Sequence, residues 1–183
     1  SCEASSVNLG TPITDDNCSV DTVTNDAPAL FPVGDTIVTW TVTDTGGNTA
    51  TCTQTVTVTD DIDPTITCPV DVLVNVDAGL CEASNVDLGT PTTDDNCTVD
   101  TVTNDAPAIF PLGNTTVTWT VTDTAGNTAT CTQTVTVTDD IDPTITCPSD
   151  VSVNVDAGSC EASSVNLGTP ITDDNCSVDT VTN

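Results

Sequence analysis

Apolar and polar residues alternate along much of this chain, and the alternation has a period of two. In Thr115–Asp123, Val117, Trp119 and Val121 point one way, while Thr116, Thr118, Thr120 and Thr122 point the other. That pattern predicts a half-buried antiparallel strand. Thr128–Thr138 repeats it, with Ala129, Cys131, Gln133, Val135 and Val137 on one face. Between them, Thr124-Ala125-Gly126-Asn127 predicts a short turn in which glycine takes positive φ. The two strands form a hairpin with a valine and tryptophan inner face. Its outer face is a threonine ladder, which favours strands and stays soluble without charge.

Upstream, Thr65–Cys68 and Val72–Val76 read as one strand broken near Pro69, and Ala83–Gly89 and Val99–Thr103 as weaker strands. Ala106–Gly113, with Pro107 and Pro111, is an irregular segment whose Ile109 and Phe110 should plug the core. A count of about six or seven short strands predicts a small all-β sandwich.

The strand pattern recurs along the chain as a long, regular cycle. Ser1–Gly79 and Leu80–Gly158 differ at 12 of 79 positions, and Ser159–Asn183 is identical to Ser1–Asn25. A period of this length, with one supersecondary unit per period, marks a tandem array. Pro and Asp punctuate the cycle at Asp60-Asp61-Ile62-Asp63-Pro64 and again at Asp139–Pro143. The expected organisation is a partial module over 1–60 lacking its first strand, a complete module over 61–139, and the start of a third over 140–183. A chain cut in mid-cycle reads as a window on something longer.

Composition narrows the function. The sequence has no Lys, Arg or His against 28 Asp plus Glu, a net charge of −28. No side-chain salt bridge can form, and nucleic acid is excluded as a partner because nothing neutralises a phosphate. No segment approaches the roughly 20 apolar residues of a membrane helix, so membrane insertion is not expected. Acid–base catalysis could fall only to carboxylates on turns that recur in each cycle, with no insertion to form a cleft, so no enzyme is expected. The ten cysteines recur at matching places, four per cycle. In a β module this marginal in size they imply a disulfide framework in an oxidising compartment. Even the closest pair, Cys68 and Cys81, is too widely spaced for the close Cys/His pairs of a structural zinc site, and His is absent.

These residues together resemble the hyalin repeat, or HYR, domain. The matching elements are Asp63-Pro64 leading to Ile66-Thr67-Cys68-Pro69, then Asp94-Asp95-Asn96-Cys97 and Phe110-Pro111-Leu112-Gly113. They continue through Val117–Asp123 and close with Ala125-Gly126-Asn127 and Thr130-Cys131-Thr132. They cover the whole cycle in order. The resemblance implies an immunoglobulin-like extracellular module of the kind found in animal adhesion proteins and long bacterial cell-surface adhesins. It implies structural or adhesive work at the cell surface and no catalysis. The immunoglobulin topology it implies would bring Cys68 to Cys131. That leaves Cys81 with Cys97 and, by repetition, Cys2 with Cys18 and Cys160 with Cys176. Cys52 and Cys147 would then find their partners outside this sequence, one upstream of Ser1 and one downstream of Asn183.

The same topology gathers acidic groups at one end of each module. The linker supplies Asp60, Asp61 and Asp63; the following loop supplies Asp94, Asp95 and Asn96; the hairpin turn supplies Asp123 and Asn127. The next junction offers Asp139, Asp140, Asp142, Asp173 and Asp174. Calcium takes six to eight oxygen ligands, and no side-chain cation competes, so Ca2+ at each junction is the expected cofactor. The alternative is that these residues only cap turns. Expected partners are neighbouring copies of the repeat along a filament, and cell-surface or environmental glycans. Rival readings are a glycan- or protein-binding repeat and a non-covalent pilus-like subunit. Asn17, Asn96, Asn114 and Asn175 fit the N-glycan acceptor pattern.

Overall fold

The computed structural model describes residues 1–182, and these contain strands and no helix. The chain divides into two compact units that cut across the sequence repeat. One gathers Ser1–Thr67, Pro91–Thr103 and Trp119–Cys131; the other gathers Cys68–Thr90, Asn104–Thr118 and Thr132–Asn183.

In the first cycle, strands Val20–Asn25, Gly34–Asp44 and Thr49–Val58 form an antiparallel sheet, in that order. The long hairpin keeps an unbroken register from Gly34↔Val58 to Thr43↔Thr49. A second, two-stranded ribbon pairs Glu3–Ser5 with Leu30–Pro32.

A second copy of this plan follows and adds strands from the end of the first cycle. Its main sheet runs in the order Val99–Asn104, Gly113–Asp123, Thr128–Thr138, Val72–Asn75. The last pairing is parallel, with Val135 opposite Val72 and Val137 opposite Val74. Two ribbons complete this copy, Glu82–Ser84 with Ile109–Pro111 and Thr65–Thr67 with Thr92–Asp94. The opening strand is therefore broken at Pro69, as its sequence predicts, because proline cannot donate to a ladder. Thr65–Thr67 and Val72–Asn75 join different sheets. The ribbon Thr144–Thr146 with Ile171–Asp173 is the counterpart, one period later, of Thr65–Thr67 with Thr92–Asp94.

The core follows the period-two pattern. Along Gly113–Asp123 the buried positions are Val117, Trp119, Val121 and Asp123, and along Thr128–Thr138 they are Gln133, Val135 and Val137. Phe110 and Ala83, from a ribbon, are buried as well. Ile109 departs from expectation: it is half-exposed. Ile109–Pro111 is itself a strand, so alternate residues face opposite ways, and only Phe110 points inward.

Gln133 is the one uncharged polar side chain of this core. Its amide donates to the carbonyls of Val70 at 2.7 Å and Leu88 at 3.0 Å, which ties down two irregular segments. A buried polar group is tolerated when its hydrogen bonds are made. Replacing it removes the donor and strands two carbonyls. Gln133→Leu should therefore destabilise the fold by about 1–3 kcal/mol, read as a lower thermal midpoint. A Gln133→Leu variant melting with the parent would show that the two carbonyls find other donors.

Candidate functional site

The site is built on the turn that closes the long hairpin. Asp123 ends one strand, and its Oδ1 accepts from the backbone amides of Ala125 at 2.9 Å and Asn127 at 2.7 Å. Its Oδ2 accepts from the Asn127 side-chain amide at 2.7 Å. Gly126, at φ 95°, makes the turn possible without strain. Burial acts to raise the Asp123 carboxyl, but the hydrogen bonds from Asn127, Gly126 and Ala125 outweigh it and hold the group below its usual value. The turn thus keeps a carboxylate ionised with no positive side chain in the protein.

Two further acids converge on this turn. Asp60 arrives from the linker: its main-chain carbonyl accepts from Asn127 Nδ2 at 3.2 Å, and its Oδ1 accepts from Asn96 Nδ2 at 3.1 Å. Asp95 sits in the loop after Thr92–Asp94, where its Oδ2 accepts from the Cys97 amide at 2.8 Å. One carboxylate oxygen from each of Asp60, Asp95 and Asp123 lies within 4.8 Å of the other two. Three oxygens here, Asp60 Oδ2, Asp95 Oδ1 and Asn96 Oδ1, are buried and have no hydrogen-bond partner.

Of the residues expected here, Asp60, Asp95, Asn96, Asp123 and Asn127 come together. Asn127 serves as a donor that positions Asp60 and Asp123. Asp61, Asp63 and Asp94 are exposed and lie outside the three-carboxylate group. In extended chain, neighbours point opposite ways, so one acid of each adjacent pair turns inward.

The next junction reproduces the linker-and-loop part of the arrangement, without a counterpart of Asp123. Asn175 Nδ2 donates to the Leu80 carbonyl at 2.9 Å and to Asp139 Oδ1 at 3.3 Å, and the Cys176 amide donates to Asp174 Oδ2 at 3.1 Å. Asp174 Oδ1 and Asn175 Oδ1 are again buried and unpartnered. Asp140 accepts from Asn75 Nδ2 at 2.6 Å, and Asp140, Asp142 and Asp173 are exposed.

A disulfide closes each junction, and its pairing corrects the expected one. Cys2 is bonded to Cys97 and Cys81 to Cys176, each at a sequence separation of 95. The local pairs Cys81–Cys97, Cys2–Cys18 and Cys160–Cys176 do not form; Cys18, Cys52, Cys147 and Cys160 are free thiols. Cys68 and Cys131 are both disulfide-bonded. The loop bearing Asp95 and Asn96 is held by Asp60 and Asn96 against the preceding cycle. That places Cys97 beside Cys2 of that cycle. The Asn96 and Asn175 amides are used inside the junctions, whereas Asn17 and Asn114 are exposed.

Chemically, the junction is a set of hard oxygen donors. Cys2 and Cys97 lie beside Asp60, but their sulfurs are spent in a disulfide and offer no thiolate. Oxygen-only donors suit calcium or magnesium rather than zinc or copper. No nucleophile with an adjacent base occurs among these residues.

The arrangement defines a class: tandem β-sandwich repeats, cross-linked at acidic junctions. The HYR domain model matches residues 3–58 and 59–137, and the chain belongs to the HYR domain family. Its fold is all-β, built of tandem immunoglobulin-like sandwich modules with disulfides. It is 36% identical over 127 residues to hyalin of Lytechinus variegatus, covering 62% of this chain and 22% of that protein. It is 38% identical over 115 residues to hyalin of Strongylocentrotus purpuratus, covering 60% and 10%. It is 36% identical over 108 residues to the mouse "Sushi, von Willebrand factor type A, EGF and pentraxin domain-containing protein 1", covering 57% and 3%. The chain therefore spans under a quarter of the length of these relatives.

The equivalent turn of the first cycle offers a test of the carboxylate-holding geometry. Asp44 Oδ1 accepts from the Asn48 amide and Oδ2 from the Asn48 side chain, both at 2.7 Å. These bonds, the Asn48 side chain first, lower its pKa against a smaller opposing effect of burial. A depressed folded value means that the stabilisation is present above the ordinary carboxylate value and is lost as pH falls from there through the lower folded value. Asn48→Ala should move the Asp44 titration upward, observable by NMR, and should make the hairpin loosen at a higher pH on acidification. An unmoved titration would remove Asn48 as the cause.

Proposed function

We propose that this chain is a structural and adhesive repeat segment of an extracellular filament or giant cell-surface adhesin, with modules over 1–60, 61–139 and 140–183 and a calcium ion at each junction. The observation that supports the cation most directly is the meeting of Asp60, Asp95 and Asp123 within 4.8 Å, with three buried oxygens that lack any donor. Three like charges this close repel unless a cation lies among them. The oxygens of Asp60, Asp95, Asn96 and Asp123 would supply the protein's share of the six to eight ligands calcium takes. Its partners along the filament are neighbouring repeats. Family membership supports an extracellular setting and a non-catalytic role, and the disulfides are consistent with that setting. Glycan partners would need aromatic platforms; Phe31, Phe110 and Trp119 are buried, and the half-buried Trp40 lines a surface pocket with Pro12 and Ile13.

Binding to the folded state alone stabilises it by about 2.7 kcal/mol at a hundredfold excess over Kd. Adding a chelator should therefore lower the thermal midpoint, and calcium should restore it. Asp95→Asn should weaken calcium binding about tenfold or more by calorimetry, removing one charged ligand of the set. Identical melting curves with chelator and with calcium would sink the cation reading.

A further inference from the structure

The two junction disulfides share one register. Each joins cysteines at a sequence separation of 95, so each bond reaches from one cycle into the next. The second cycle accordingly sends Cys97 back to the first cycle and Cys81 forward to the third. Within that cycle only the short segment from Cys81 to Cys97 lies between the two bridges.

We propose that these crossed disulfides form a second covalent backbone, which carries tension through the array and bypasses most of each module. A pull on the two ends enters at Cys2 and crosses the bridge to Cys97. It then runs backwards along the chain to Cys81 and crosses again to Cys176. The segments from Glu3 to Leu80 and from Thr98 to Asn175 lie outside this shortest path. They hang as closed loops whose unfolding adds nothing to the distance between the ends. Taut, one repeat contributes the Cys81–Cys97 segment and one bridge, about 60 Å at roughly 3.6 Å per residue, where an unbridged repeat would release about 280 Å. The device therefore limits extensibility: sandwiches can open under load while the array remains short and the loops remain free to refold. It follows from connectivity alone and needs no bound cation, so it stands or falls apart from the calcium reading.

The test is single-molecule force spectroscopy on the full chain, held by cysteine-free terminal tags after alkylation of Cys18, Cys52, Cys147 and Cys160. Oxidised protein should reach a limiting extension of about 95 Å, and fully reduced protein about 650 Å, roughly a sevenfold change. The double variant Cys2→Ser/Cys97→Ser opens one bridge and should extend to about 320 Å. Oxidised protein that releases several hundred ångströms would overturn the proposal, as would a double variant that extends no further than the parent. These contours are read from the stretched chain and do not depend on the variant's folding. Non-reducing peptide maps give a second reading, from an aspartate-directed protease because the chain has no Lys or Arg for trypsin. A Cys2–Cys97 peptide supports the bypass, and a Cys81–Cys97 peptide overturns it.

Discussion

The absence of any positive side chain constrains everything polar in this protein. With 28 carboxylates and no Lys, Arg or His, each buried acid must be satisfied by backbone and side-chain amides. The hairpin turn shows how: Asp123, 2% exposed, is surrounded by the amides of Ala125, Asn127 and the Asn127 side chain. The buried Gln133 serves the opposite need, donating to the carbonyls of Val70 and Leu88 in two irregular segments. Where linker, loop and turn meet, the donors run out, and Asp60, Asp95 and Asn96 keep unpartnered oxygens. The junction is thus the place where a charge deficit, managed locally elsewhere, becomes a shared one.

The two copies of the turn separate local chemistry from its setting. Asp44 with Asn48 and Asp123 with Asn127 have the same two 2.7 Å bonds. Those bonds belong to the sequence of the turn and form wherever it occurs. Only Asp123 is brought against Asp60 and Asp95. A turn that is merely well capped becomes part of a candidate cation site when a linker and a neighbouring loop are folded onto it.

Much of the fold was legible because period-two alternation is strong in Gly113–Asp123 and Thr128–Thr138 and because proline marks the break in the opening strand. Phe110 and Ile109 show the limit. Both are apolar and adjacent, and their opposite facing emerges only once Ile109–Pro111 is known to be extended. The acidic pairs show the same limit: Asp94 and Asp95 are neighbours in sequence, yet one is exposed and the other turned to the junction. The cysteines were the least legible. In a repeat this regular, Cys81 with Cys97 and Cys81 with Cys176 join the same two positions of the cycle. Proximity in sequence favours the first; the fold selects the second because Asn175 is anchored to Asp139 and Leu80, beside Cys81.

The crossed bridges also change what breaking the chain means. An ordinary polypeptide is a single thread, severed by one hydrolysed peptide bond. Here a cut at any one bond between Cys2 and Cys176 leaves both fragments joined, through Cys2–Cys97, Cys81–Cys176 or both. The array has the redundancy of a ladder, in which a single proteolytic nick is damage the molecule carries without parting.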